Sequence, residues 1–61
     1  MKIFEDEFIR ITEYYMEDNL RKRSYHTYFF YDLVNEETFL KVESKKCVPL
    51  TELINYGKEN Y

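Results

Sequence analysis

Alanine and tryptophan are absent from this chain, and glycine, proline, cysteine and histidine each occur once. Each scarcity closes off a class of protein. A single cysteine, Cys47, forms no intrachain disulfide, and with His26 it is too little for a Cys/His zinc site. A single glycine, Gly57, excludes a glycine-rich phosphate-cradling loop. No uncharged run approaches the ~20 residues of a membrane span. The start, Met1-Lys2-Ile3-Phe4, turns acidic at Glu5-Asp6-Glu7 and leaves no room for the apolar stretch of a signal peptide. A lone thiol suits a reducing compartment, so a soluble, cytoplasmic protein is expected. A basic surplus is also missing. The net charge of −3 argues against a general nucleic-acid binder, while a local basic patch stays open.

Length is scarce too. Sixty-one residues make one small domain, residues 1–61, and a chain of this size buries only about 60% of its unfolded surface. Small scaffolds lean on disulfides, a metal or a partner chain. With the first two set aside and no cofactor expected, a homodimer or an unusually good core remains. The abundant residues point the same way: seven Tyr and five Phe can supply much of a core. The composition has a second bias. Phe, Tyr, Met, Ile, Asn and Lys, with AT-rich codons, account for 28 residues, against five for Gly, Ala, Arg and Pro. An AT-rich genome is implied, such as a low-GC bacterium or its phage.

No repeat, linker or low-complexity tract divides the chain. Ser24 to Val34 is rich in aromatic and β-branched residues, and Thr38 to Ser44 alternates in character, so the pair reads as a hairpin around Asn35-Glu36-Glu37. Placing Val34 opposite Phe39 sets Leu33 against Leu40, Asp32 against Lys41 and Tyr31 against Val42. Pro49 and Gly57 bracket a short helix, with Pro in the first turn and Gly past the end. Leu50, Leu53 and Ile54 then share one face, and Thr51 is an alternative N-cap. Phe8 to Tyr15 is dense in β formers and leads to a turn at Glu17-Asp18-Asn19. Against that stands a helical stripe of Phe4, Phe8, Ile11 and Tyr15 with Asp6–Arg10 and Glu17–Arg21 pairs. The expected fold is α+β: a three-stranded antiparallel meander with a short C-terminal helix on one face. The alternative is an N-terminal helix, a hairpin and a C-terminal helix.

The strand from Ser24 carries aromatics on both sides, whereas a half-buried strand in a small sheet should have one polar face. With Ile9, Ile11, Phe29, Tyr31, Leu33, Leu40 and Val42 under the helix, the other face carries Phe8, Tyr14, Tyr28, Phe30 and Phe39, with Arg10, Lys41 and His26 among them. So much aromatic surface is either covered by another chain or used for binding. The expected partner-binding residues are Tyr28, Phe30, Phe39, Arg10, Lys41 and Tyr14.

This composition suits a protein-binding module, an accessory factor of a phage or mobile element that binds and inhibits a host protein, with a homodimer as a bland equivalent. Nucleic acid is a weaker expectation. It would use the same aromatics with Arg21-Lys22-Arg23, whose plainer reading is a solvated turn. The acids Glu5, Asp6, Glu7, Glu13, Glu17 and Asp18 could instead mimic phosphates, but ordinary surface charge explains them as well. Catalysis has little support. Cys47 and His26 could in principle form a nucleophile and base, but a cysteine in such a chain is more often a small packing residue. No enzyme and no membrane association are expected.

Overall fold

The computed structural model describes residues 1–61. Four strands form one antiparallel sheet in sequential order: β1 (Lys2–Glu5), β2 (Ile9–Asp18), β3 (Arg23–Asp32) and β4 (Glu37–Ser44). One helix, α1 (Leu50–Glu59), follows. The α+β character is as expected, but the three-stranded meander is corrected to four strands, and the N-terminal helix does not form. The additional strand is β1. It is four residues long, too short to show a period, and its acidic flank reads as surface.

All three reversals of the meander open on an aspartate. The carboxylate accepts the backbone N–H groups two and three residues on: Phe8 and Ile9 for Asp6, Leu20 and Arg21 for Asp18, Val34 and Asn35 for Asp32. Such Asx turns offer the backbone partners that a ladder would otherwise supply. The two four-residue loops, Asn19–Lys22 and Leu33–Glu36, also end alike, with Lys22 and Glu36 in the left-handed region at φ 52° and 57°.

The Asp32 turn overturns the expected hairpin register. β3 stops at Asp32, two residues short of Val34, because the Asp32 carboxylate is committed to the loop. Asp32 therefore faces Glu37 and Tyr31 faces Thr38. Beyond a bulge, Phe30 faces Leu40, Phe29 faces Lys41 and Tyr28 faces Val42. The expected pairs Leu33–Leu40, Asp32–Lys41 and Tyr31–Val42 are absent. Leu40 sits opposite Phe30 instead of Leu33, a slip of three residues. An odd slip exchanges the faces of a strand.

The helix accordingly covers the other side of β3. Ile9 and Ile11 lie beneath it as expected, but their neighbours are Tyr28 and Phe30 rather than Phe29 and Tyr31. Ile11, Tyr28, Phe30 and Leu53 form the buried cluster, and Ile3, Phe4, Phe39, Leu40, Val42, Val48 and Ile54 pack around it. Both edge strands carry a bulge, one between Lys2 and Phe4 and one where Phe39 and Leu40 meet Phe30. Each bulge lets two consecutive apolar residues, Ile3-Phe4 and Phe39-Leu40, reach the core, which a strict alternation forbids.

The helix runs three residues further than expected. Pro49 is its N-cap, Thr51 lies within it, and Gly57 is buried inside it rather than beyond its end. Leu53 and Gly57, four residues apart, form the inward stripe, while Leu50 is exposed. Tyr61, just past the helix, packs against Phe8 and Phe39 and donates its hydroxyl to Asp32.

Candidate functional site

Face exchange decides what the sheet offers to other molecules. Tyr28 and Phe30 have no exposed surface, and Phe39 packs edge-on against Phe30. These three expected binding residues belong to the core. Arg10, Lys41 and Tyr14 do lie on the uncovered face, and the register joins them to Thr12 and to Phe29 and Tyr31, the latter two expected under the helix. Phe8, also placed on the binding side, packs on Tyr61 at the end of the helix.

The uncovered face is a shallow depression centred on β3. Tyr14 meets Phe29 edge-to-face, with ring centroids 5.4 Å apart. The Arg10 guanidinium lies over the Tyr31 ring at 5.6 Å, and the Lys41 ammonium over Phe29 at 5.9 Å. Such contacts favour the cation modestly when exposed and hold both rings and both charges in place. Each cation also has an acid: Arg10 Nε is 2.7 Å from Glu5 and Lys41 Nζ is 3.2 Å from Glu43. The hydrogen bond from Arg10 holds the Glu5 carboxyl below its ordinary range, with Lys2 and Arg10 charge adding to it. The face is thus aromatic with balanced charge.

It continues onto a projection. β1 pairs with β2 over Arg10–Thr12, Met1 exchanges two further backbone hydrogen bonds with Glu13, and β4 pairs with β3 no further than His26, which faces Tyr15 on β2. The rest of the β2–β3 hairpin is a two-stranded ribbon, and the molecule is 40 Å long but only 21 by 17 Å across. Met16 and Leu20 are exposed along it, Leu20 almost fully, and Tyr14 and Tyr15 are exposed at its base. Arg21, Lys22 and Arg23 are at its tip, where Arg21 lies 3.8 Å from Asp18. Arg23 and Phe29 lie six positions apart along β3, about 20 Å.

Of the acids that could mimic phosphates, Glu7 has no side-chain partner, and several others hold intramolecular contacts. Glu5 holds Arg10, Asp6 and Asp18 open turns, and Glu17 accepts the Tyr15 hydroxyl.

A second constellation lies on the helix side, at the end of the sheet away from Asp32. Glu13 pairs directly with Tyr28, and His26 is the next residue on that face of β3. His26 Nδ1 stands 3.2 Å from Glu13 Oε2. The imidazole sits between the Tyr15 ring, 5.0 Å away, and the Tyr28 ring, stacked 10° from parallel. Cys47, on the β4–α1 connection, comes within 3.9 Å of the Tyr28 hydroxyl, which also accepts the Val48 N–H at 3.0 Å. Burial pushes the Tyr28 phenol up to about 12, with the Glu13 carboxylate and the Cys47 sulfur acting in the same direction against the Val48 N–H. Cys47 is exposed, so the small-packing-residue reading does not describe it. The sequence showed Cys47 and His26 but not Glu13, because the cross-strand register alone brings that carboxylate to the imidazole.

Comparison with protein-family models, with curated proteins and with solved structures found no match.

Proposed function

We propose that the chain is a protein-interaction module that binds through the uncovered sheet face and the adjoining ribbon. The carrying observation is the row of Tyr14, Met16, Phe29 and Tyr31 left outside the helix-covered core, with Arg10 and Lys41 set over its rings. Tyr, Phe, Met and Arg are the residue types enriched at the centre of protein interfaces. Paired cations favour a protein partner over a polyanion. A nucleic-acid platform needs uncompensated positive charge along the strand path, whereas here Glu5 and Glu43 sit beside the two lysine and arginine heads. Small size and AT-rich coding support the narrower reading of a phage or mobile-element accessory factor acting on a host protein in the cytoplasm.

The test compares the parent with Tyr14→Ala and Arg10→Glu, both at non-core positions and both checked by circular dichroism. A host protein captured by the parent and then titrated as a purified pair should bind each variant about 30-fold more weakly, a loss of about 2 kcal/mol. Equal affinity for folded variants overturns the site. Sedimentation and a single-stranded DNA titration run in parallel. A dimer that Tyr14→Ala dissociates assigns the face to a second copy of the chain. Tight binding to DNA that falls steeply with salt assigns it to nucleic acid.

A further inference from the structure

We infer that Glu13, His26 and Cys47 form a binding site for one divalent transition-metal ion of the zinc class. One ligand atom from each, a carboxylate oxygen, an imidazole nitrogen and a sulfur, lies within 4.8 Å of the other two. Zinc takes all three types, at about 2.0–2.3 Å. Tetrahedral bonds of that length put ligand atoms roughly 3.3–3.8 Å apart. Glu13 Oε2 and His26 Nδ1, at 3.2 Å, are already close to that spacing. Only the sulfur has to approach, and it is carried by the connection after β4 rather than by a paired strand.

The surroundings suit the task. Tyr15 and Tyr28 flank the imidazole and fix its plane. The Tyr28 hydroxyl, itself held by the Val48 N–H, is an outer partner for the sulfur, and such partners orient ligands and tune affinity. A thiolate and a carboxylate together neutralise a dication. Cys47 is exposed, so the cluster is reachable from solvent. The bound ion would link β2, β3 and the β4–α1 connection, which is how small domains with thin cores are commonly stapled. This inference concerns the opposite face of the sheet and does not depend on the protein-binding reading.

Cobalt(II) is the probe, added to the reduced, metal-stripped full chain. The expected result is saturation at one ion per chain in the micromolar range or tighter, with visible bands of tetrahedral intensity and a near-ultraviolet thiolate-to-cobalt charge-transfer band. Zinc should displace the cobalt and raise the melting temperature. Cys47→Ser, at an exposed position that leaves the core intact, should abolish the charge-transfer band. His26→Gln and Glu13→Gln should each weaken binding by about tenfold or more, the least expected from loss of a direct ligand when outer partners alone cost that much. The site is overturned by saturable binding without a charge-transfer band, by undiminished affinity in Cys47→Ser, by binding only at millimolar cobalt, or by one ion shared between two chains. Should either strand variant fail to fold, the Cys47→Ser comparison decides alone.

Discussion

A Cβ on Gly57 would stand 2.8 Å from Cδ2 of Phe30 and 3.2 Å from Cδ1 of Ile9. Neither neighbour can step aside, since both side chains are fully buried. The glycine is therefore required by the close approach of helix and sheet, even though glycine inside a helix costs about 1 kcal/mol relative to alanine. Two effects compete in Gly57→Ala: that gain in helix propensity, and an overpacking cost of about 1–3 kcal/mol. Because the contact falls on a ring wedged between Phe39, Tyr56 and the helix, the overpacking should win. The expected outcome is a net destabilisation of about 1 kcal/mol in urea unfolding. An alanine variant as stable as the parent would show that the helix can lift off Phe30 at no cost. In the sequence the same residue reads as a helix stop, since an isolated glycine near the end of an apolar stripe fits a C-cap as well as a close contact.

The strands owe their lengths to the turns. Asp6, Asp18 and Asp32 each gather two backbone N–H groups, and each ends regular pairing where the side chain would otherwise continue the alternation. The two long loops then close through a left-handed residue, Lys22 or Glu36. A non-glycine residue there costs roughly 1–2 kcal/mol, while glycine's extra freedom in the unfolded chain costs about 0.5–1 kcal/mol. Glu36→Gly should thus stabilise the hairpin by about 0.5 kcal/mol. The same change one residue later, at Glu37 in β4, should destabilise by about 0.5–1 kcal/mol, for there glycine brings only its entropy. Urea midpoints of the two variants check the turn directly, and a loss of stability at position 36 comparable to that at 37 would refute the left-handed closure. This three-fold aspartate pattern is visible in the sequence once the turns are known. Without the turns, Asp32 is equally readable as a strand residue facing Lys41, which places the register three residues away from the observed one.

At the scale of the molecule, folding is linked to pH through Asp6, Asp32 and Glu5. The Ile9 and Phe8 N–H groups hold Asp6 below its ordinary value. The Asn35 side-chain amide, then the backbone N–H groups of Asn35 and Val34, do so for Asp32. Glu5 is lowered by its hydrogen bond from Arg10. In each case the folded state prefers the ionised form, so the unfolded chain binds protons first as pH falls. The stabilisation is complete above the ordinary carboxylate range of about 4 and is lost progressively below it, towards the lower folded values. The melting temperature should be flat from neutrality to about pH 5 and then drop. A profile that stays flat to pH 3 would mean that these turns are not carboxylate-held. Asp32→Asn should flatten part of the drop, because the amide oxygen still accepts the turn N–H groups but no longer titrates.

Local pattern alone determined that this chain is α+β, that residues around Asn35 form a hairpin, and that the apolar stripe after Pro49 is helical. Those features rest on residue type and short-range spacing, which are carried by the chain itself. It also showed that β3 has aromatics on both sides, so that one face must remain outside any single helix. Which face that is, only the tertiary structure decided. The choice depends on the parity of a cross-strand register, set by where the Asp32 carboxylate ends the strand and by two bulges that break the alternation. Tyr28 and Phe30 went inside, and Phe29 and Tyr31 joined Tyr14, Arg10 and Lys41 outside. β1 is likewise a tertiary product, since four residues with two apolar side chains form a strand only because β2 and the Asp6 turn supply their partners. The meeting of Glu13, His26 and Cys47 has the same origin: the side chains are separated by 13 and 21 positions in the chain and converge only because β2, β3 and the connection to the helix are folded against one another.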